Sequence, residues 1–392
     1  MDNPPSVLFV LPWALSPVNG VDLAVLNLAR SAAAHRGLRP LMFCVDPTQE
    51  TCSTTEYDDI RMISGRLHAP QSQPLAAGGT VDFLRSVRGE LAEWRALIRQ
   101  HNVRVIDAHF PGLHYFTLAL LRRRTRGRVR LIFSLHGDDL RAIQGAGRIA
   151  RAGARWVLRQ GDAVVCCSDD LARVAQQTLR LDERRLHTIY QGVDIEELER
   201  SRGCRYRPPT GAFTDYLVCV AAFDQKKGQD LLLEAFTQLV RQGLKAALVL
   251  IGRRTPFLTR VRGLVRRLGL QDHVFFVHDL DHQDTLAAIR QARVLVQPSR
   301  EEAFGLSLLE AGYLETPIVA TAVGAIPEVL GTYYPYLARP EDAEALAETI
   351  HEVLYNPTEA RRQVELIRRH VATRFTWGIA YDRYEGVWLS GS

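Results

Sequence analysis

The sequence predicts an α/β protein made of two doubly wound domains, and three observations support that prediction. The chain has 392 residues, which exceeds one ordinary hydrophobic core and favours two domains. Short runs rich in Val, Ile and Leu alternate with helical patterns, as in βα units around a parallel sheet that is buried on both faces. Between residues 199 and 215 this alternation stops, and Gly and Pro punctuate the chain. We therefore predict domains over 1–198 and 216–374, joined by a linker over 199–215.

The first domain is predicted from five apolar runs that are typical of buried strands. Helical patterns over residues 21–34 and 80–100 separate several of these runs. The segment 46–79 is irregular and predicts no element. The strands are predicted at residues 7–11, 40–45, 103–108, 129–135 and 163–167.

The second domain repeats this organisation around a predicted helix over residues 229–242. In open α/β sheets, ligands bind beyond the carboxyl ends of the strands. Functional residues are therefore expected just after strands, facing a cleft between the two domains. The strands are predicted at residues 216–221, 246–251, 274–277, 294–297 and 317–321.

The composition is that of a globular protein, with 46% hydrophobic and 24% charged residues. Six scattered cysteines form no CxxC pair, which predicts reduced thiols. The N-terminus lacks the basic region of a signal peptide, and no run of about 18 apolar residues occurs. These features predict a cytoplasmic protein whose only membrane contact would be peripheral, at the inner membrane face.

The net charge is +5, and arginine supplies nearly all of the basic residues. The arginine-rich segment 123–130 has no interleaved aromatic residues and no groove-reading motif, so we expect a solvated loop and no nucleic-acid partner. A second group of arginines lies on one side of a predicted helix, where a solvated face and contact with an anionic membrane are equally good explanations. Its members are Arg148, Arg151, Arg155 and Arg159.

The strongest functional signal lies in residues 296–312, where a strand, a short loop and a helix follow each other. The helix is predicted to begin around Phe304, and the N–H groups and partial positive charge of a helix N-terminus hold phosphates. Glu302 precedes the helix and Glu310 lies eight positions on, about 12 Å away if the whole span is helical. A nucleotide-sugar has about that reach between its sugar and its ribose. Two surface glutamates are the alternative, but the apolar neighbours make an unpaired charge at Glu310 costly.

A second signal follows the strand predicted at 216–221. Lys226 and Lys227 are two of only three lysines in the chain, and they directly precede Gly228. A compact ammonium charge in a chain that otherwise uses arginine indicates a phosphate site, and glycine permits close approach of the backbone. A polar βα turn without a ligand is the alternative.

In the first domain, Gly20 belongs to a turn after the first strand that is suited to backbone contact with a ligand. His109 and His136 each end a strand, and both are expected at the mouth of the cleft. His136 is the better candidate because Gly137 keeps its surroundings open. No GxGxxG occurs at this turn and no Walker motif occurs anywhere, which argues against a nicotinamide dehydrogenase and a P-loop phosphotransferase.

Together these residues resemble the retaining glycosyltransferases of family four, also called glycosyl transferases group 1. The most specific part of the resemblance is the E-x7-E motif formed by Glu302 and Glu310. Residues 324–328 are similar to the family's GGIPE segment, residues 191–194 to its NGVD, and Lys227 with Gly228 to its KG. The resemblance implies the GT-B fold, an α/β architecture of two facing Rossmann-like domains with a deep interdomain cleft.

The same resemblance implies a role for each domain and for each site residue. The first domain would lie on the acceptor side, the second would bind the nucleotide-sugar, and a helix over about 375–392 would cross back to the first. Lys227 would contact the donor diphosphate, Glu302 the transferred sugar and Glu310 the ribose. The backbone of three further residues would meet the phosphates and the sugar: Phe304, Gly305 and Leu306.

From the first domain, Gly20 would approach the donor, and His136 would lie near the transferred sugar. His109 and His136 would serve the acceptor side, and His136 would join Lys227 and Glu302 as the catalytic residues. The chain departs from the family at Ala222, where an arginine is usual. Arg253 or Arg254, after the next strand, is the expected replacement for that phosphate partner. Three smaller departures are Asn19, Gln191 and Glu315.

The implied reaction moves a sugar from a nucleotide-sugar to a saccharide, lipid-linked or small-molecule acceptor, with retention at the anomeric carbon. Such reactions belong to polysaccharide or glycoconjugate biosynthesis. Lys227 and the helix start would stabilise the leaving group, so that neither a metal nor another cofactor is expected. Two alternatives stay open: a nucleotide-sugar epimerase of the same fold, and a nucleotide-sugar-binding protein without catalysis, which Ala222 and Gln191 make plausible.

Overall fold

The computed structural model describes residues 4–15, 20–35, 37–46, 48–49, 52–66, 79–125, 127–278 and 280–390. The chain divides into two compact units, one formed by residues 1–190 with 380–392 and the other by residues 191–379. The division falls eight residues before the predicted domain boundary at 198. Residues 191–198 belong to the second unit because a helix that begins at Ile195 packs against a helix of that unit. Asn19, singled out above, lies outside the described residues.

One mixed sheet forms the core of the first unit, with its strands in the order β3-β4-β2-β1-β5-β6-β7-β8. Every neighbouring pair is parallel except β3 with β4. The central strand β1 pairs with β2 on one side and with β5 on the other, which makes the gap between β1 and β5 the switch point of a doubly wound sheet. The strands are β1 (Ser6–Leu11), β2 (Arg39–Val45), β3 (Ser53–Tyr57), β4 (Ile60–Gly65), β5 (Val103–His109), β6 (Arg130–Leu135), β7 (Ala163–Cys166) and β8 (Leu186–Thr188).

Helices connect most of these strands, as the alternating pattern predicted. Their bounds are α1 (Gly20–Ala34), α2 (Gly79–Gln100), α3 (Phe116–Thr125), α4 (Asp138–Gly145), α5 (Arg148–Leu158) and α6 (Asp169–Leu179). The arginine-rich segment at 123–130 is not wholly a loop, because α3 continues to Thr125 and β6 begins at Arg130.

The second unit has an all-parallel sheet of its own, in the order β11-β10-β9-β12-β13-β14. Here β9 pairs with β10 and β12, so that the switch point lies between β9 and β12. The strands are β9 (Tyr216–Val220), β10 (Ala247–Ile251), β11 (Val274–Val277), β12 (Val294–Gln297), β13 (Ile318–Thr321) and β14 (Leu337–Ala338). Its helices are α7 (Ile195–Ser201), α8 (Gln229–Arg241), α9 (Phe257–Leu268), α10 (His282–Gln291), α11 (Leu306–Tyr313), α12 (Ile326–Leu330), α13 (Ala343–Tyr355) and α14 (Pro357–Arg374). The last helix, α15 (Trp377–Leu389), begins in this unit and continues into the first.

The last helix ties the end of the chain into the first unit. Trp388 of α15 is buried there, and its Nε1 donates a hydrogen bond to Asp107 Oδ2 at 3.0 Å. Its ring also meets the ring of Phe9 edge-on, at 5.6 Å between centroids. The segment that joins the first unit begins at residue 380 and not at the predicted 375.

The prediction of two doubly wound α/β domains is therefore confirmed. The prediction that residues 46–79 form an irregular segment without any element is wrong in part. It contains the antiparallel hairpin of β3 and β4. Most β3 side chains are exposed, and its Ser-Thr-Thr-Glu-Tyr sequence has no apolar alternation. Pairing with the more buried β4, and not its own pattern, makes this stretch a strand. The short edge strands β8 and β14 were also missed.

Candidate active site

The two strongest sequence signals meet at the switch point of the second unit. Lys227 lies in the loop after β9, and Glu302 lies in the loop after β12, the two strands between which the winding direction reverses. Lys227 Nζ lies 2.9 Å from Glu302 Oε1 and 2.8 Å from Oε2. The ammonium and the carboxylate are both largely buried, with 18% and 8% of their side chains exposed. The position that the strand rule predicts for ligands is thus occupied by an ion pair.

Glu302 is held in place by polar side chains at the end of β12. Its Oε2 accepts hydrogen bonds from Gln297 Nε2 at 2.9 Å and from Ser299 Oγ at 3.1 Å. Gln297 Nε2 also contacts Ser299 Oγ at 2.9 Å, and both residues are buried. A carboxylate with three donors around it keeps one orientation.

Glycines allow the loops of this site to approach one another closely. Gly228 has φ +67°, and a Cβ atom there would stand 1.9 Å from the carbonyl oxygen of Pro298. Gly324, in the GGIPE-like segment, has φ +52°, and its Cβ would stand 2.2 Å from the Glu302 carbonyl oxygen. The Ala325 N–H donates to the same oxygen at 3.0 Å. The two motif glycines are therefore required by backbone contact, because no side chain fits at either position.

The helix that carries Glu310 begins later than predicted. It begins at Leu306, after Gly305 in a left-handed conformation at φ +96°, and not around Phe304. The first residues of the span from Glu302 to Glu310 are consequently not helical. The distance of about 12 Å assumed a helix over the whole span, and that assumption is wrong for these residues. Phe304 is buried and its ring meets Phe375, at 6.1 Å between centroids. The N-terminal N–H groups of α11 nevertheless lie only a few residues after Glu302, where an anion site is expected.

Glu310 is buried, as its apolar neighbours predicted, and it has a cationic partner. Its Oε1 lies 2.9 Å from Nε2 of His282, and Nδ1 of the same ring lies 2.9 Å from Glu197 Oε1. Burial by itself would lower the pKa of His282, but the carboxylates of Glu310 and Glu197 together raise it to about 10. His282 is therefore an imidazolium at neutral pH and donates to both carboxylates.

Arg253 and Arg254 lie in the loop after β10, next to the lysine loop, and both are exposed. The Arg253 carbonyl accepts the Phe223 N–H at 3.3 Å, and a Cβ on Gly252 would stand 1.9 Å from the Ala221 carbonyl oxygen. The loops after β9 and β10 are thus in direct backbone contact.

In the first unit, His109 and His136 are in direct contact. Nδ1 of His109 lies 3.0 Å from Nε2 of His136, as expected for neighbouring strand ends. Burial lowers the pKa of His109 to about 3, and burial together with His109 holds the pKa of His136 well below its usual value. Both rings are neutral at pH 7, and one of the two nitrogens donates to the other.

A buried carboxyl group lies behind the histidine pair. Asp107 Oδ1 is 3.6 Å from His109 Nε2, a nitrogen with no hydrogen-bond partner among the described residues. Burial raises the pKa of Asp107 to about 7, despite hydrogen bonds from Ser134 and Trp388. Gly20, the other site residue predicted in this unit, is exposed at the start of α1, and a Cβ there would meet none of the described atoms within 4 Å.

The loop of His136 is fixed by Asp139, which the sequence analysis did not single out. Its carboxylate accepts the N–H groups of His136 at 2.9 Å and of Gly137 at 2.8 Å. An acidic residue in the first turn of a helix that accepts the N–H groups just before the helix is a local signal that was available in the sequence. By contrast, Glu197 and His282 are 85 residues apart, and no local pattern connects them.

The described residues also bear on metals and membranes. Among them, no group of three or more His, Cys, Asp or Glu side chains is arranged to hold a metal ion. Within the same part of the chain, no helix has the length and apolar character needed to cross a bilayer. On α5, Arg155 donates to the Thr178 carbonyl, and Arg151 donates to the Ala146 carbonyl. At least these two arginines of the predicted basic face therefore have structural partners.

Comparison with known proteins identifies the class to which this fold and site belong. A glycosyl transferases group 1 model matches residues 212–370, and a glycosyltransferase family 4 model matches residues 18–197. The chain is thus a glycosyltransferase of the GT-B fold, similar to family four.

Among its relatives is N-acetyl-alpha-D-glucosaminyl L-malate synthase of Bacillus anthracis, 24% identical over 74% of this chain and 75% of the relative. D-inositol 3-phosphate glycosyltransferase of Jonesia denitrificans is 25% identical to this chain, over 91% of this chain and 88% of the relative. In structure, HepE of Anabaena, solved in complex with UDP-glucose, is similar with a TM-score of 0.72 at 16% identity, over 97% of this chain and 98% of HepE.

Proposed function

We propose that the chain transfers a sugar from a nucleotide-sugar to a hydroxyl group of a saccharide, lipid-linked or small-molecule acceptor, with retention at the anomeric carbon. The bond between the anomeric carbon and the diphosphate oxygen breaks, and the acceptor oxygen bonds to the same face of that carbon. The acceptor proton leaves with the released nucleoside diphosphate. The supporting observation is the ion pair of Lys227 and Glu302 at the β9–β12 switch point, directly before the N-terminus of α11.

The donor contacts follow from the charge and position of each group. Lys227 and the N–H groups at Gly305 and Leu306 supply positive charge for the diphosphate. Glu302 and Glu310 supply charged acceptors for hydroxyl groups, Glu302 on the sugar and Glu310 on the ribose. An ammonium has three N–H donors, and at most two point at Glu302 in the present contact. Lys227 can therefore keep Glu302 and still contact a phosphate, so that the leaving group is neutralised without a metal.

In the first unit, we assign His136 to the transferred sugar, Gly20 to backbone contact with the donor, and His109 to the acceptor side. A neutral His136 offers one donor and one acceptor to sugar hydroxyls. The exposed Gly20, where a side chain would meet none of the described atoms within 4 Å, is compatible with close approach of a ligand. Contact with an anionic membrane stays a prediction, which absence of binding in liposome flotation would overturn.

The first test is a calorimetric and thermal-shift panel of UDP-, GDP- and ADP-sugars against the wild type and Glu310→Ala. One nucleotide is expected to bind and stabilise the wild type, and the variant should weaken that binding about 10- to 100-fold because a charged hydrogen-bond acceptor is lost. A chelator should leave both results unchanged. If no nucleotide binds, the proposed donor site is wrong; if the chelator abolishes binding, the metal-free site is wrong.

Arg253 is expected to replace the phosphate partner that is missing at Ala222. Arg253→Ala should weaken binding of the nucleoside diphosphate about 5- to 50-fold, because a charged phosphate contact is removed. Binding of the free nucleoside should not change, since it carries no phosphate. Arg260→Ala, on the exposed surface of α9, is the matched control. Equal diphosphate affinity in Arg253→Ala and the control would exclude Arg253 as the phosphate partner. Arg254→Ala would then be compared with the same control.

A further inference from the structure

Glu310 belongs to a largely buried cluster of three charged side chains, which come from three helices. Glu197 comes from α7, His282 from the first turn of α10 and Glu310 from α11. His282 links the two carboxylates, with one ring nitrogen 2.9 Å from each. The exposed fractions of the three side chains are only 15%, 24% and 10%. A cation therefore holds the Glu310 carboxylate, which lies in the second half of α11.

The charges of this cluster do not balance. An imidazolium between two carboxylates leaves one excess negative charge in a site that is mostly shielded from water. Gln283 Nε2 also donates to Glu197 Oε1 at 3.2 Å, and Asp281 and Asp284 beside His282 are acidic. From β9, the Tyr216 hydroxyl donates to the Ala288 carbonyl at 2.6 Å. Excess buried negative charge is costly unless further donors solvate it.

A ribose would supply such donors. Its 2′- and 3′-hydroxyl groups are adjacent and can both donate to one carboxylate. His282 contacts Glu310 through Oε1. With that oxygen held, the carboxylate plane is fixed and Oε2 keeps a constant direction. A charged acceptor with fixed geometry discriminates strongly against a ligand that lacks one hydroxyl, because the buried acceptor is then left without its donor.

We propose that His282 is a positioning residue of the nucleotide site. It holds the Glu310 carboxylate in one orientation, and in this way makes the site selective for ribonucleotides over 2′-deoxyribonucleotides. This inference rests on the proposed function, since it assumes that Glu310 faces the ribose. It adds a residue from outside the E-x7-E motif to the donor site and assigns that residue a specificity that can be measured.

The test is calorimetric binding of UDP, GDP and ADP, each compared with its 2′-deoxy form, to three proteins. These are the wild type, His282→Gln and, as a matched control, His351→Gln on the exposed side of α13. The wild type is expected to prefer the ribonucleotide about 10- to 100-fold. In His282→Gln, ribonucleotide binding should weaken about tenfold while deoxyribonucleotide binding changes little, so that the preference falls to a few-fold. His351→Gln should keep the wild-type ratio.

The ratio of the two affinities makes the test independent of stability, because a partly unfolded variant loses both affinities equally. An unchanged ratio in His282→Gln would overturn the role of His282. As a second variant, Glu197→Gln keeps the histidine and removes only its distant carboxylate, and it should lower the ratio less than His282→Gln does. A wild type that binds nucleotides without preference for ribose would also overturn this inference, while the nucleotide site would stand. Only a wild type that binds none of the diphosphates would refute the proposed function itself.

Discussion

Replacing Lys227 by alanine is expected to slow sugar transfer about 100- to 1,000-fold. The proposed reaction develops negative charge on the departing diphosphate, and a fixed cation in a site with little water stabilises that charge far more than it would in solution. The substitution also removes the two contacts of 2.9 and 2.8 Å that hold Glu302. The measurement is kcat for conversion of the donor found in the binding panel into its nucleoside diphosphate.

Lys226→Ala is the matched control for this prediction. It removes the same charge one residue earlier in the same loop, while the Lys226 carbonyl, which accepts the Arg300 N–H at 2.7 Å, is retained. Lys226→Ala should change kcat by no more than a few-fold. Equal losses in the two variants would mean that the loop provides only a general positive field, and an unaffected Lys227→Ala would contradict the assignment of Lys227 to the diphosphate.

The charge of Glu302 can be tested separately from its shape. Glu302→Gln keeps the size of the side chain but removes the negative charge that faces Lys227, Gln297 and Ser299. If the carboxylate orients both the lysine and the sugar, this variant should lose activity to an extent similar to Lys227→Ala. The losses in the double variant should then be much less than multiplicative, because residues that act as a unit are not additive.

The second large effect is expected on stability, from Gly228→Ala. A Cβ atom at this position would stand 1.9 Å from the Pro298 carbonyl oxygen, and φ is +67°, where alanine is strained. Since backbone, and not a flexible side chain, fills the space, the loops after β9 and β12 must separate. We expect a loss of about 4 kcal/mol or more in the free energy of unfolding and a fall in Tm of about 10 °C.

Gly243→Ala separates the clash of the Cβ atom from the backbone strain of a positive φ. Gly243 also has a positive φ, +93°, but a Cβ there would meet none of the described atoms within 4 Å. This control should lose only about 1 kcal/mol, the cost of backbone strain alone. Circular-dichroism melting of both variants measures the difference. If Gly228→Ala were no less stable than Gly243→Ala, the close contact of the two loops would not be a constraint on the fold.

Much of the candidate site was predictable because it depends on local sequence. Parallel strands buried on both faces require continuous apolar runs, and ligand-binding loops must follow their carboxyl ends. The loops of Lys227 and Glu302 could therefore be found one strand at a time, and the contact of His109 with His136 agrees with their positions at successive strand ends. The start of α11 was misplaced by two residues, because Gly305 in a left-handed conformation delays the helix.

The sequence by itself determined the number of domains, most strands and helices, and the residue types that carry the proposed chemistry, because each of these follows from short-range pattern and composition. Only the tertiary structure decided which loops meet. The sheet order brings the loops after β9 and β12 together although the sequence runs through β10 and β11 between them. It also decided that Glu310 shares His282 with Glu197, and that the exposed β3 pairs with β4. These contacts join residues far apart in the chain, and their stability comes from burial and charge in the assembled fold, which no local pattern records.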